Sequence, residues 1–229
     1  TSTKCVDLDE GVKVIGERIN PTGKKKLKEA LINNNMEYIL KEAVTQKEKG
    51  ADILDVNVGL PEINETEVII KAVKEIQSIV DLPLQIDSSD AGAIEAALRI
   101  YNGKAVINSV NGKAEIMDTI FKIAKKYGAC VVGLTLDENG IPSSAEERFR
   151  IAEKIVNTAE KYGIPKENLL IDCLVLTASA QQKEVAETLK AITMVREKLG
   201  VKTDLGVSNV SFGLPNRALL NRTFLTMAL

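Results

Sequence analysis

Asp and Asn recur in this sequence immediately after short apolar runs. Glu17, Arg18 and Asn20 follow the first run, and Asp55 and Asn57 the second. Asp87, Ser88 and Ser89 come next, then Asn108, Ser109 and Asn111, then Thr135 and Asp137, then Asp172, and last Ser208, Asn209 and Ser211. Asp only accepts hydrogen bonds, whereas Asn both accepts and donates. A set of such groups, with aromatic residues at 3% and no histidine, suits a flat polar heterocycle with amide-like edges. A carboxylate can take paired N–H bonds from an amino-pyrimidinone edge, and Asn can serve neighbouring ring positions. An Asp after a strand is also the usual N-cap of the next helix, a job expected here of Asp90 and Ser144. Capping does not call for Asn directly after an apolar run, so the recurrence points to a ligand. A phosphate ligand would call for glycine-rich loops and a helix N-terminus, for which Ser211-Phe212-Gly213 is weak support.

With no histidine, Ser-His and Cys-His nucleophile pairs are excluded, and the usual zinc sites are disfavoured. Acid–base chemistry falls to carboxylates, Lys, Tyr, Cys, substrate or water. Cys5, Cys130 and Cys173 are odd in number and widely spaced, which fits buried or free thiols in a reducing, cytoplasmic setting. The net charge of −2 argues against nucleic-acid binding, and the Lys24–Lys28 run reads as a solvated helix start. No apolar stretch approaches the roughly 20 residues that span a bilayer, and Thr1–Glu10 lacks a signal-peptide pattern.

The elements that must position these residues alternate in texture. Strands are predicted at Val12–Gly16, Ile53–Val58, Leu84–Ile86, Ala105–Ile107, Cys130–Leu136, Leu169–Ile171 and Asp204–Val207, continuous apolar runs of the kind buried on both faces of a parallel sheet. Helices are predicted at Lys24–Lys49, Glu65–Ile79, Ala91–Tyr101, Ala114–Tyr127, Ala145–Tyr162, Lys183–Leu199 and Arg217–Leu229. Ile69, Val73, Ile76 and Ile79 keep a helical stripe. Gly50, Gly128, Gly163 and Gly200 stand where left-handed C-caps are expected.

Such repeats imply right-handed crossovers. The sequence has no Gly-x-Gly-x-x-Gly turn and no Walker loop, and its polar residues close nearly every strand. A (β/α)8 TIM-type barrel, whose strand ends meet at one mouth, is therefore preferred to an open doubly wound sheet. The chain offers only seven strand–helix units, so the barrel reads as truncated, either as a fragment or with its closing segment supplied elsewhere.

The motifs resemble a known family. Val14-Ile15-Gly16-Glu17-Arg18-Ile19-Asn20-Pro21-Thr22-Gly23 is similar to the opening of the folate-binding domain of cobalamin-dependent methionine synthases. Ala51–Asn57, Gln85-Ile86-Asp87-Ser88, Val106-Ile107-Asn108-Ser109 and Leu205–Pro215 extend the resemblance over nearly the whole chain. The wider group holds the methyltetrahydrofolate:corrinoid methyltransferases and, more remotely, the dihydropteroate synthases. Phe212 stands where the corrinoid/iron–sulfur branch usually has Gln, which favours the methionine synthase branch. The dihydropteroate synthase motifs are not found.

The resemblance implies a (β/α)8 barrel over residues 12–229, with 1–11 as a linker or N-terminal extension. It implies that 5-methyltetrahydrofolate binds at the mouth and passes its N5 methyl to cob(I)alamin. Asp87, Asn108 and Asp172 resemble the pterin contacts, and Asn209 resembles the Asn that hydrogen-bonds near N5. Asn20, Arg18 and Asp55 lie on matching segments, and Ser208 would support the Asn209 loop. Cobalamin would come from another domain or a corrinoid protein, with a homocysteine-binding domain in a longer natural chain. The alternatives are a corrinoid/iron–sulfur protein methyltransferase and a folate-binding module without turnover of its own.

Overall fold

The computed structural model describes residues 1–229, with strand order following chain order. The strands are β1 (Ile15–Ile19), β2 (Ile53–Val56), β3 (Leu84–Asp87), β4 (Val106–Asn111), β5 (Cys130–Leu134), β6 (Leu169–Asp172) and β7 (Lys202–Asp204). The helices are α1 (Lys25–Ile32), α2 (Met36–Glu48), α3 (Glu65–Ile79), α4 (Ala91–Ile100), α5 (Ala114–Tyr127), α6 (Ala145–Lys161), α7 (Gln182–Met194) and α8 (Arg217–Ala228). The chain divides into two compact units, residues 1–109 with 126–130, and residues 110–125 with 131–229.

In the first unit β1 pairs in parallel with β2, β2 with β3 and β3 with β4. Every residue of β2 is buried, Asp55 included with its apolar neighbours. On α3, Ile69, Ala72, Val73 and Ile76 are fully buried. Ile79, expected on that stripe, lies in the last turn and is exposed. Asn64 and Asp90 cap α3 and α4 through their side chains, as predicted for Asp90.

Strand β4 runs four residues past its expected end, to Asn111, and two elements nearer the N-terminus also differ from the sequence reading. Strand β1 begins at Ile15, three residues later than expected, and runs on into Glu17 and Arg18. Val14 instead uses its carbonyl for the Asp52 and Ile53 amides and its own amide for the Asp52 carboxylate, so Val12 and Val14 stay exposed. The single helix expected over 24–49 is two helices. Asn34 takes φ +54, which Asn tolerates better than most residues, and Asn35 then accepts from the Tyr38 amide to start α2.

In the second unit β5 pairs in parallel with β6 and β6 with β7. Ser144 caps α6 by accepting from the Glu147 amide, again as predicted. The last strand precedes its expected position, because Val207–Ser211 coils into a 3-10 turn instead of extending. The segment expected as one helix to Leu199 ends in a π-turn over Val195–Leu199, which Gly200 closes at φ +65. Gly133 in β5 is closely packed. A Cβ there would stand 2.9 Å from Ile155 Cγ2 of α6 and 3.1 Å from Ile171 Cδ1 of β6.

No helix is long and apolar enough to cross a membrane.

Candidate functional site

Each unit carries its own carboxylate cluster at the ends of its strands. In the first, β2, β3 and β4 lie in a register that sets Asp55 beside Gln85 and Asp87 beside Asn108. Gln85 Nε2 donates to Asp55 Oδ1 at 2.7 Å, and Asn108 Nδ2 donates to the same oxygen at 3.4 Å. The other oxygen, Asp55 Oδ2, is buried and meets no donor. Burial, then the nearby Asp87 charge, raise the Asp55 carboxyl to about 8. Protonation of Asp55 resolves the orphaned oxygen, since the carboxyl can then donate to Asp87, an interaction that opposes the upward shift burial imposes on Asp87. One proton held between two carboxyls is the expected state of such a pair.

Asp87 also takes a hydrogen bond from the Asn57 side chain. Asn20 Nδ2 reaches it at 3.5 Å, while Asn20 Oδ1 accepts from the Thr22 amide. Asp87 and Asn108 remain partly accessible, whereas Asp55 and Gln85 are closed off. The cluster thus has an inner pair that holds and an outer pair that can meet a ligand. Behind Asp87, Ser88 donates to Glu65 of α3 and its oxygen receives the Asp90 amide, fixing the turn into α4.

The cluster does not extend to Arg18, which the sequence reading placed with this set. Its side chain is 62% exposed and pairs with Glu42 of α2. The cation that does serve the β1 end is Lys24, whose ammonium binds the Glu17 and Asn20 carbonyls at 3.0 Å each. Burial lowers its pKa. Lys24 is therefore a bracing residue, which corrects its reading as part of a solvated helix start.

In the second unit, Asp172 closes β6 and lies opposite Asp204 of β7. Burial, then the Asp204 charge, raise Asp172 to about 7, and burial raises Asp204 as well. Asp172 Oδ1 receives the Leu174 amide at 2.7 Å. The Cys173 thiol beside it is pushed by burial to about 12, the inert buried cysteine expected from its apolar run.

Asn209 and Ser208 are exposed on the 3-10 turn after β7. The turn is held from below. Ser211, fully buried, donates to Asn221 Oδ1 of α8 at 2.6 Å, and Arg217 donates through Nε to Ser211 Oγ and through Nη2 to the Ser208 carbonyl. Ser208 thus supports the loop through its backbone. Gly206 leaves room for the Asn209 amide, since a Cβ there would lie 3.2 Å from Asn209 Nδ2.

Of the residues expected from the sequence, Asp55, Asp87, Asn108 and Asn20 come together in one cluster, and Asp172, Ser208 and Asn209 belong to the other unit. Gln85, Asp204 and Arg148 were missed as site residues. Gln85 and Arg148 each break an apolar pattern, the first inside a buried strand and the second on the α6 stripe of Ile151, Ala152 and Ile155. Asp204 carried no such signal, because it sat at the start of a strand drawn two residues late.

Known proteins resemble this chain over nearly its whole length. The family model described as "Pterin binding enzyme" matches residues 16–229. The chain is 34% identical over 227 residues to a methionine synthase of Mycobacterium leprae, covering 93% of this chain and 19% of that protein. It is 30% identical over 223 residues to a methylcorrinoid:tetrahydrofolate methyltransferase of Eubacterium limosum, covering 94% of this chain and 80% of the relative. The chain thus spans about a fifth of the methionine synthases it matches. Among solved structures, a dihydropteroate synthase of Xanthomonas albilineans superposes with a TM-score of 0.70 at 20% identity, over 96% of this chain and 84% of that one. The dihydropteroate synthase of Thermus thermophilus gives 0.68 at 17% identity, over 99% and 87%. These likenesses fix the fold, a (β/α)8 barrel of which this chain supplies seven strand–helix units.

Proposed function

Because the chain belongs to the pterin-binding enzymes, we propose that it binds 5-methyltetrahydrofolate and moves the N5 methyl group to a reduced corrinoid. The observation that carries this reading is the pair of carboxylate clusters at the strand ends, built from acceptors poised between charged and neutral forms. The pterin offers a matching edge, an amino group beside a ring N–H. Asp172 is proposed to take those two N–H groups as an ionised acceptor, and Asp87 and Asn108 to serve other ring positions. Asp55, Gln85 and Asn20 hold that second set in place. Arg18, paired outward with Glu42, is proposed to have no ligand contact.

The reaction breaks the N5–CH3 bond and leaves its electron pair on nitrogen. Tetrahydrofolate anion is a poor leaving group, so N5 must gain a proton or a hydrogen bond as the bond lengthens. Asn209 is proposed to donate that hydrogen bond. A donor whose bond strengthens only in the transition state accelerates the step, by roughly 2.7–4 kcal/mol for an oxyanion-hole donor. The proton itself is proposed to come through the substrate, water or an Asp network.

A corrinoid, when bound, supplies the nucleophile that accepts the methyl cation. The corrinoid is proposed to arrive on another domain or protein. A methionine synthase would also carry a homocysteine-binding domain, and residues 1–11 are then a linker into the barrel domain of 12–229. The second reading is a methyltetrahydrofolate:corrinoid/iron–sulfur protein methyltransferase working with a separate corrinoid protein.

Calorimetry with 5-methyltetrahydrofolate, and the absorbance change of free cob(I)alamin on methylation, test the proposal. Binding and transfer are expected, and binding should be strongly weakened in Asp172→Ala. Undiminished binding in that variant would sink the pterin assignment. Binding without transfer would reduce the chain to a folate-binding module.

A further inference from the structure

Arg148 has no part in the reading above, yet it is the largest side chain in the chain with no exposure. Burying a guanidinium is costly unless its donors are met. Its Nε donates to the Pro142 carbonyl at 2.8 Å. Its Nη1 donates to the carbonyls of Cys173 and Leu174, at 3.1 and 2.9 Å, and to the Thr188 hydroxyl. Its Nη2 has no hydrogen-bond partner and lies 3.7 Å from Glu184 of α7.

Two of these acceptors are the carbonyls directly after Asp172. Leu174 stands there at φ +55, a conformation unfavourable to a residue with a side chain. That conformation turns the Leu174 amide onto Asp172 Oδ1. A continuous path therefore runs from the guanidinium through a clamped, strained peptide to one oxygen of the carboxylate. Thr188, which also donates to the Leu174 carbonyl, closes the clamp from α7.

We propose that Arg148 is a positioning residue for Asp172, clamping the 173–174 backbone so that the carboxylate is aimed and charged when the folate's N–H edge arrives. The proposal rests on Asp172 being a folate contact. The charges around it agree. Asp204 on β7 opposes ionisation of Asp172, the Cys173 thiol is neutral, and Arg148 is the one cation acting on it. Glu184 and Glu187 on α7 face Arg148 in turn.

The test pairs Arg148→Met and Arg148→Lys, each with Asp172 and with Asp172→Asn. Calorimetry reads 5-methyltetrahydrofolate binding across neutral pH, and carboxyl carbon NMR reads the Asp172 titration without ligand. Arg148→Met should raise the Asp172 midpoint and weaken binding about ten- to a hundredfold, the usual scale for a misplaced contact. Arg148→Lys, which keeps the charge but loses the fork, should return the midpoint toward wild type and leave binding weaker. In Asp172→Asn, Arg148→Met should cost no further binding. An unmoved midpoint, or full additivity with Asp172→Asn, overturns the proposal. Should the Met variant not fold, the Lys variant decides alone: weaker binding with a near-native midpoint supports the clamp, and native binding overturns it. If wild-type protein does not bind the folate, the functional reading fails, and the ligand-free titration still decides whether Arg148 governs Asp172.

Discussion

The two carboxylate clusters solve the same problem by opposite means. In the first unit, Asp55 is surrounded by neutral amides, Gln85 and Asn108, and faces another carboxyl. In the second, Asp172 also faces a carboxyl, Asp204, but a backbone amide and a buried guanidinium stand behind it. Neutral donors satisfy a carboxyl without settling its charge, so burial wins and Asp55 keeps its proton to about 8. At Asp172 burial and the Asp204 charge raise the carboxyl to about 7, opposed by the Leu174 amide and then by the Arg148 charge. One carboxyl rests on neutral side-chain donors, the other on a backbone amide with a cation behind it.

The largest effect that would break this contrast is on turnover. Asn209→Ala should slow methylation of cob(I)alamin by about a hundred- to a thousandfold while leaving folate affinity within a few-fold, as for a lost transition-state donor. Equal losses in rate and affinity would make Asn209 an anchor only. Next comes stability. Asp55→Ala strands the Gln85 and Asn108 amides without an acceptor and should cost about 2–4 kcal/mol in urea unfolding, at roughly 1–3 kcal/mol per unsatisfied buried group.

The pH dependence has its sign fixed by the raised pKa values. Unfolded carboxyls release their protons near the ordinary value of 3.8, whereas native Asp172 and Asp55 hold theirs to about 7 and about 8. Between those limits the native state binds more protons, so ligand-free stability should fall as pH rises. Asp172→Asn should remove the fall that ends near 7, and Asp55→Asn the part that runs on to 8. A flat profile in wild-type protein would contradict both assignments.

The smallest effect is the sharpest. Asparagine mimics a protonated aspartate, with one oxygen to accept and an N–H to give. Asp55→Asn should therefore unfold within about 0.5 kcal/mol of wild type at acid pH, where Asp55 is protonated folded and unfolded alike, the range of harmless substitutions. A loss of several kcal/mol there would mean that the site does not hold a neutral, donating side chain.

Much of the frame was legible in the sequence because its signals are local. Gly50, Gly128, Gly163 and Gly200 all adopt positive φ, and α3 and α5 keep their predicted bounds. The polar strand ends that drew notice do assemble, with Asp55, Asp87, Asn108 and Asn20 in one cluster. What escaped depends on partners distant in sequence. Nothing near Arg18 shows that Glu42 will draw it outward, and nothing near Lys24 shows the carbonyls it braces. Arg148 and Gln85 were readable as polar residues at apolar positions, but what they hold lies tens of residues away.

Gly133 bears on the clamp from a distance. Ile155, whose methyl closes over that glycine, lies seven residues along α6 from Arg148, two helical turns and about 10 Å up the same face. Ile171, the other wall, immediately precedes Asp172. The hydrogen atom at position 133 thus serves as a gauge block between the helix that carries the guanidinium and the strand that carries the carboxylate. Adding one methyl group there should push the two apart by tenths of an ångström, enough to lengthen every bond of the clamp while altering none of its residues.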